Sequence, residues 1–315
     1  MVRRERALAP TPRPCHALDA MRAILLIALF AGCASQETIV VGGLERSYLL
    51  HVPTSAAKAP APLVLVFHGG GGSAPSMRRY SRFDEVADQQ GFVVAYPNGI
   101  DSSWNDGRES PQIEAQAQAI DDVGFIRALI RAIQARTPID PLRIYATGIS
   151  NGAMLSLRLG CELADVLAGI APVAGSLPEP LLERCQPAHP ISVLLIHGTH
   201  DDFVPYGGGE VIKQRGRVIG VDQTRRRFQA RNECKNTSGP KTIDDVKDDE
   251  TSVVRAGWSG CLDQVEIEVD RIEGGGHTWP GSTTLIDFVL GTVSHEIDAP
   301  QRIWSFFAAH PRPGR

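Results

Sequence analysis

The sequence lacks the features that mark several classes of protein. It has no run of about 18 consecutive apolar residues, which argues against several membrane-spanning helices. Its 32 Lys and Arg are balanced by 36 Asp and Glu, and no basic stripe interleaved with aromatic residues occurs, which argues against nucleic acid as a partner. Internal repeats and low-complexity linkers are also missing. The 315 residues, 43% of them hydrophobic, are instead typical of an enzyme-sized globular protein.

Motifs for a metal ion or a nucleotide are missing too. None of the six cysteines and nine histidines forms a CxxC or HxxxH pair, the spacings typical of zinc sites. The glycine run His68 to Ser73 lacks the GK[S/T] ending of a phosphate-binding loop, and no GxGxxG motif opens the following helix. We therefore expect a protein that needs neither a metal nor an organic cofactor.

The first 32 residues have the pattern of a targeting segment. Residues 1–20 are rich in Arg and Pro without an apolar period, and a second methionine follows at Met21. From Met21, one basic residue, the apolar run Ala23 to Ala31 and small residues form a signal-peptide pattern that is too short to span a bilayer. We expect translation to start at Met21, residues 1–32 to be a leader and signal peptide, and residues 33–315 to form one domain.

The end of this segment predicts a lipid anchor. Phe30-Ala31-Gly32-Cys33 resembles a bacterial lipobox, with Phe30 where Leu is usual, and the thiol of Cys33 would then be acylated. A cleaved signal without a lipid is the alternative. Both interpretations predict an exported protein, and the first predicts contact with a membrane only through the lipid on Cys33.

Export would place the remaining cysteines where disulfides can form. Apart from Cys15 and Cys33, four are left, an even number in an oxidising compartment, and four cysteines allow three pairings. Each bridge between sequence neighbours would constrain the unfolded chain by about 3–4 kcal/mol in the loop-entropy model. The favoured pairs are these neighbours, Cys161 with Cys185 and Cys234 with Cys261.

An antiparallel hairpin followed by alternating strands and helices organises the chain. Two extended runs around Gly42-Gly43 predict the hairpin, and continuous apolar runs then alternate with amphipathic stretches. This pattern predicts an α/β fold with a mostly parallel central sheet and helices on both faces. The region from Gly207 to Gly260 is the least regular, and its acidic run Asp244 to Glu250 is expected to be a solvated loop. Strands are predicted at Thr38 to Val41, Leu44 to Val52, Leu63 to Phe67, Phe92 to Tyr96, Leu142 to Ala146, Ile170 to Val173, Val193 to Ile196 and Val265 to Ile272, and helices at about Arg78 to Gln90, Asp121 to Arg136, Gly152 to Cys161, Thr224 to Arg231 and Ala299 to Ala309.

The strongest chemical signal is a GxSxG motif between a strand and a helix. In the run Tyr145 to Met154, glycines flank Ser150 at a sharp turn that would expose its hydroxyl at a helix N-terminus. A small-residue turn that happens to contain Ser is the alternative. The flanking strand and helix favour a nucleophile elbow, and Ser150 is the candidate nucleophile.

A serine hydroxyl needs a base and an orienting acid, and in this type of site they follow in the order Ser, acid, His. Asp201 and Asp202 follow the strand that ends at Ile196, and His277 follows the strand that ends at Ile272. Both positions lie just past the carboxyl ends of predicted parallel strands, where open α/β sheets place their sites. The other histidines are expected to be surface or supporting residues, and His197 could be packed at a strand end.

A glycine loop provides candidate donors for an oxyanion. The loop His68 to Ser73 follows a predicted strand and is of the HGGG type, whose backbone N–H groups bind a developing oxyanion. We expect Gly70 and Gly71, together with Asn151 next to the nucleophile, to supply these groups. Two tryptophans are candidate substrate-binding residues, although the first could equally be a buried loop anchor. They are Trp104 and Trp279.

The motifs taken together resemble the polyhydroxybutyrate depolymerase and feruloyl esterase family of α/β-hydrolases, which is similar to carbohydrate esterase family one. The resemblance covers nearly all of residues 38–310. It implies that Ser150 is the nucleophile, Asp201 the acid and His277 the base, and it supports both disulfide pairings; Asp202 stands where the family usually has Pro. The motifs are HGGGGS, WND (Trp104 to Asp106), DDVGFI (Asp121 to Ile126), YATGISNGAM, APVAG (Ala171 to Gly175), HGTHDDFVPY and GGGHTWPG.

This resemblance implies an exported serine esterase that acts through an acyl-enzyme on hydroxybutyrate-type polyesters or oligomers, or on feruloyl or acetyl esters of polysaccharide. A general lipase or peptidase on the same fold is the alternative within enzymes, because fold and triad do not select the acyl group. A surface-anchored binding module without catalysis is the alternative from another class. That module would be expected to have a damaged triad or oxyanion hole, whereas every part is present here.

Overall fold

A computed structural model describes residues 36–56, 59–243, 247–283 and 287–314. They belong to one compact unit, Ala34–Arg315. The predicted leader, signal peptide and lipidation site at Cys33 lie outside the described residues, as do residues 244–246 of the acidic run. In the described ranges, no helix combines the length and the apolar character needed to cross a membrane.

One mixed sheet of ten strands forms the centre of the described part of the chain, and the predicted mostly parallel arrangement is confirmed. The strand order is β1-β2-β4-β3-β5-β6-β7-β12-β11-β10. The central strands β4, β3, β5, β6, β7 and β12 run parallel, and antiparallel strands flank them on both edges. Strands β8 and β9 form a separate small hairpin. The strands are β1 Glu37–Val41, β2 Leu44–His51, β3 Ala61–Phe67, β4 Val93–Pro97, β5 Ile139–Ile149, β6 Gly169–Val173, β7 Ser192–Gly198, β8 Gly208–Glu210, β9 Arg217–Ile219, β10 Asn236–Thr242, β11 Ser252–Ser259 and β12 Ile267–Glu273.

Helices cover both faces of the sheet, as predicted. Successive residues of β3 alternate between two cores: Leu63 and Leu65 pack beneath α4, α5 and α6, whereas Val64 and Val66 pack beneath α1, α2 and α8. Burying each such side chain contributes about 1.5–3 kcal/mol, so the sheet is stabilised from both sides. The helices are α1 Ala74–Ser81, α2 Phe83–Gln90, α3 Glu114–Ala117, α4 Asp122–Gln134, α5 Asn151–Glu162, α6 Val221–Asn232, α7 Asp287–Leu290 and α8 Ala299–Ala309.

Four of the parallel strands end in the loops that carry the predicted site residues. The glycine loop follows β3, Ser150 follows β5, Asp201 lies three residues after β7, and His277 lies four residues after β12. Because parallel strands present their carboxyl ends at the same edge of a sheet, these loops lie close together although the chain separates them.

Both predicted disulfides are present. The bridge between Cys161 and Cys185 joins the last turn of α5 to the loop before β7, with a sequence separation of 24 residues. The bridge between Cys234 and Cys261 has a separation of 27 and connects the end of α6 with the turn after β11.

Two predictions of secondary structure were wrong. The helix predicted at Arg78 to Gln90 is two helices, because Arg82 adopts a left-handed conformation (φ 55°) and the first helix begins four residues earlier, after a capping box at Ser73. The region predicted to be irregular contains β10 and β11, which extend the sheet past β12.

Candidate active site

Ser150 lies in a strained turn between β5 and α5. Its backbone has φ 58° and ψ −120°, a conformation that non-glycine residues rarely adopt. The turn needs glycine on both sides: a Cβ on Gly148 would lie 2.7 Å from the carbonyl oxygen of Phe67, and one on Gly152 would lie 2.5 Å from that of His68. The sharp turn therefore presents Ser150 at the N-terminus of α5, where backbone N–H groups favour negative charge.

Two backbone amides beside Ser150 are free to bind an oxyanion. Within the described ranges, no group accepts a hydrogen bond from the N–H of Gly70 or of Asn151. The prediction for Gly71 was wrong, because its single N–H donates to the carbonyl oxygen of Ser102 at 2.8 Å. The glycine loop thus offers one donor next to the nucleophile, the amide of Gly70. Gly71 instead holds the glycine loop against the loop that contains Ser102.

The structure brings His277 and Asp201 into contact. The Nδ1 atom of His277 lies 2.8 Å from Oδ2 of Asp201, and both residues are buried. Asp202 is exposed, so of the two candidate acids the structure places Asp201 against the imidazole. When Nδ1 carries the proton that this carboxylate accepts, Nε2 is left as the basic nitrogen.

Asp201 is held as a carboxylate by several donors. Its Oδ1 accepts from the N–H groups of Phe203 (2.9 Å) and Val204 (2.8 Å), and Nε2 of His197 lies 3.2 Å from its Oδ2. Burial by itself would raise the pKa of Asp201, but the hydrogen bonds from His197 and His277 hold it well below its usual range. The acid of the pair therefore stays ionised at any pH at which the protein would work.

His197 and Phe203 are supporting residues whose contacts the sequence did not reveal. His197 Nε2 also lies 2.8 Å from the carbonyl oxygen of Val204, so this histidine ties the acid loop to the end of β7. The ring of Phe203 stacks on that of His277, with centroids 5.1 Å apart and planes 9° apart. The four-residue spacing from His197 to Asp201 was the available signal for the first contact; none pointed to the second.

Ser150, His277, Gly70 and Asn151 line one cavity of about 660 Å³. Its further walls come from α1, from the loop before α3 and from the hairpin formed by β8 and β9. Among the described residues, no group of three or more His, Cys, Asp or Glu side chains is arranged to hold a metal ion. The cavity brings together a hydroxyl, an imidazole and two unpaired backbone amides.

The prediction that two tryptophans bind substrate was wrong. Trp104 and Trp279 are both fully buried (0% exposed), and neither lines the cavity. The indole of Trp279 packs against Phe83 in the core beneath α1, α2 and α8. Trp104 packs against Phe67 and donates from its indole nitrogen to the carbonyl oxygen of His68.

His68, which precedes the glycines, is a buried residue that supports the glycine loop. Its Nε2 accepts from the N–H of Gly99 at 3.0 Å, so Nδ1 carries the proton and donates to the carbonyl oxygen of Gly69 at 2.8 Å. Burial lowers the pKa of His68 despite this bond to Gly69. The neutral ring fixes the first turn of the glycine loop from both of its nitrogens.

Known proteins resemble this chain in sequence and in fold. Residues 46–178 match the family described as esterase PHB depolymerase. The putative esterase NocK of Nocardia uniformis subsp. tsuyamanensis is 31% identical, over 90% of this chain and 91% of its own length. Feruloyl esterase B of Piromyces equi is 32% identical, and the match covers 73% of this chain and 42% of that protein. In fold, the chain is similar to an acetyl xylan esterase from Aspergillus awamori (TM-score 0.59, 14% identity), with 87% of this chain and 99% of that one covered.

Proposed function

Because the chain belongs to the polyhydroxybutyrate depolymerase and feruloyl esterase family of α/β-hydrolases, we propose that it hydrolyses carboxylic esters through an acyl-enzyme on Ser150. The observation that carries this proposal is the arrangement around one cavity. A serine in a strained turn, a histidine bonded to a buried carboxylate and two unpaired amides meet there. That combination supplies each group that acyl transfer needs.

Each group has a role in the proposed mechanism. His277 takes the proton of Ser150 at Nε2 while the oxygen of Ser150 attacks the ester carbonyl carbon, and Asp201 stabilises the imidazolium that forms. The carbonyl oxygen becomes an oxyanion between the amides of Gly70 and Asn151. The imidazolium then gives its proton to the leaving alcohol. Water, deprotonated by His277, attacks the acyl carbon. The bond from that carbon to the oxygen of Ser150 then breaks while the imidazolium returns its proton to this oxygen, so that the acid is released and Ser150 is restored.

The surroundings of the oxyanion favour its negative charge. The Asn151 amide is the first of α5, and a helix N-terminus has the equivalent of about half a positive charge. Charges interact more strongly in such a half-enclosed site than in water. Preorganised donors of this kind are among the largest contributions to catalysis, because they need no reorientation as the charge develops.

Replacing the nucleophile tests the mechanism. Ser150→Ala is expected to reduce hydrolysis of p-nitrophenyl acetate by about 10,000-fold or more, while the protein stays folded by circular dichroism. Ser156→Ala is the matched control: Ser156 lies on the same helix, is buried, and among the described residues its hydroxyl bonds only to the carbonyl oxygen of Gly152. Hydrolysis by Ser150→Ala at the rate of the unaltered protein would contradict the assignment of the nucleophile.

The acyl group is proposed as a class. Hydroxybutyrate-type oligomers and feruloyl or acetyl esters of polysaccharide are the candidates, in line with the family and with the relative named as a feruloyl esterase. A small panel separates them: methyl ferulate, a hydroxybutyrate trimer and short p-nitrophenyl esters, compared by kcat/KM. A preference for long-chain esters or for amides would instead favour a lipase or a peptidase.

We also propose that the protein is exported. The two disulfides support this, because such bridges persist in oxidising compartments. A signal peptide ending before Cys33, with lipid on that cysteine, stays a prediction. Mass spectrometry of the mature N-terminus in a bacterial host tests it, and an unmodified peptide that spans Ala31 to Ser35 would contradict both cleavage and lipidation.

A further inference from the structure

The side chain of Asn151 is fully used in a buried network. Its Oδ1 accepts from the N–H of Trp104 at 2.8 Å, and its Nδ2 donates to the carbonyl oxygen of Trp104 at 3.1 Å and to Oδ2 of Asp106 at 2.6 Å. Only this orientation of the amide matches each donor with an acceptor. The side chain of the residue that offers its N–H to the oxyanion is therefore held at three points.

Trp104 connects this network to the other half of the oxyanion hole. Its indole N–H donates to the carbonyl oxygen of His68 at 2.9 Å, and His68 in turn holds Gly69, the residue before the Gly70 donor. The same tryptophan thus contacts the start of the glycine loop through its side chain and Asn151 through its backbone.

Two further side chains hold Asp106 in place. Arg108 forms a buried ion pair with it, with Nη2 2.7 Å from Oδ2, and Gln116 donates to its Oδ1 at 2.9 Å. Asp106 is fully buried, so water does not compete for these bonds. Arg108 also donates to the carbonyl oxygen of Arg215, in the hairpin that lines the cavity.

We propose that Trp104, Asp106 and the side chain of Asn151, the oxyanion brace, set the distance between the amides of Gly70 and Asn151. Trp104 and Asp106 are then positioning residues for the reaction. The proposal rests on the proposed ester hydrolysis at Ser150. An oxyanion hole works only when its donors lie 2.7–3.1 Å from the developing charge, and a displacement of about 1 Å can cost about 100-fold in rate. A network that links both donors therefore acts on kcat.

Two substitutions remove brace contacts and leave the donor amides in the chain. Trp104→Phe deletes the indole N–H bond to His68 and keeps an aromatic ring, although a smaller one, and it is expected to lower kcat about tenfold. Asn151→Ala retains the backbone N–H but loses all three side-chain bonds, and it is expected to lower kcat about 100-fold. KM is expected to stay within about twofold of the unaltered protein in both variants.

Inhibitor binding separates positioning from general loosening. With a trifluoromethyl ketone, the serine oxygen bonds to the carbonyl carbon, its proton passes to His277 and the carbonyl oxygen becomes an oxyanion in the hole, whereas the matching methyl ketone binds without addition. In the brace variants, affinity for the trifluoromethyl ketone is expected to fall by the same factor as kcat, and affinity for the methyl ketone to stay unchanged. Trp304→Phe, which shortens a buried tryptophan on α8 that stacks on Phe92, is the control for shrinking a core indole.

The outcomes are distinct. Hydrolysis by the unaltered full chain is measured first, and its absence would contradict the proposed function. If the protein is active, kcat within twofold of its value in both Trp104→Phe and Asn151→Ala would overturn the brace, as would equal weakening of the two ketones. Should Asn151→Ala fail to fold, the milder Trp104→Phe alone decides.

Discussion

The two sides of the cavity hold their functional groups by different means. On the nucleophile side, Ser150 is fixed by the backbone: β5 ends in a turn whose glycines lie in contact with the carbonyl groups of β3 and the loop after it. On the base side, His277 lies in a loop and is positioned by side chains, with Asp201 bonded to one edge of the ring and Phe203 stacked on its face.

This difference predicts different consequences of substitution. Where backbone atoms are closely packed, an added methyl group has no space and the cost appears in the free energy of unfolding. Where side chains orient a ring, a substitution leaves the fold intact and the cost appears in the rate. Among the residues that position the reacting groups, those on the base side are therefore expected to give the largest losses of activity in stable proteins.

Apart from removal of the nucleophile itself, the largest effect is expected at Asp201. In Asp201→Asn the amide oxygen can keep the bonds from the Phe203 and Val204 N–H groups, but its NH₂ group faces Nδ1 of His277. The imidazole is then held with its proton on Nε2, where it cannot take a proton from serine, and kcat/KM is expected to fall by about 1,000- to 10,000-fold. Steady-state hydrolysis of a p-nitrophenyl ester measures this.

Asp202→Asn is the matched control for the acid, because it makes the same change at the exposed neighbour. It is expected to keep kcat/KM within about twofold of the unaltered protein. The opposite result, with only Asp202→Asn inactive, would show that the carboxylate in contact with His277 is not the functional one.

On the nucleophile side, Gly152→Ala is expected to lower the free energy of unfolding by about 3 kcal/mol. The new Cβ would lie 2.5 Å from the carbonyl oxygen of His68 and 2.6 Å from that of Phe67. Both are backbone atoms, which cannot rotate out of the way as the end of a flexible side chain can. Chemical denaturation measures the loss. Gly239→Ala in β10, where the Cβ meets nothing within 4 Å, controls for the change in chain entropy. Equal stability of the two variants would show that the contact at Gly152 is not tight.

The sequence was enough to predict the parts of this site that depend on local order. A strand, a GxSxG turn and a helix are contiguous, so the position of Ser150 at the end of β5 followed from the motif. The alternation of apolar runs likewise predicted the parallel strands and, through them, the shared edge of the sheet. The outer strand β10 was not predicted, because all its residues are exposed and buried and exposed positions therefore do not alternate along it. Only its pairing with β11 identifies it as a strand.

Roles that depend on distant contacts could not be predicted. Trp104 in a loop fits a substrate wall or a buried anchor equally well, and only the acceptor at His68 and the partner Asn151 decide between them. Nothing in the glycine run distinguishes the Gly70 amide from that of Gly71, which the Ser102 carbonyl occupies. In each case the deciding group lies more than 30 residues away in the chain.

The smallest expected effect tests the ring contact on the base side. Phe203→Leu keeps an apolar side chain and the backbone N–H that donates to Asp201, but loses the stack on His277. Aromatic pairs contribute about 0.5–1.5 kcal/mol beyond burial, so kcat/KM is expected to fall about threefold to tenfold, with unfolding by denaturant little changed. Phe203→Tyr retains the ring and is expected to restore the rate. If Phe203→Leu and Phe203→Tyr were equally active, Asp201 alone would orient the base, and the base side would depend on a single hydrogen bond.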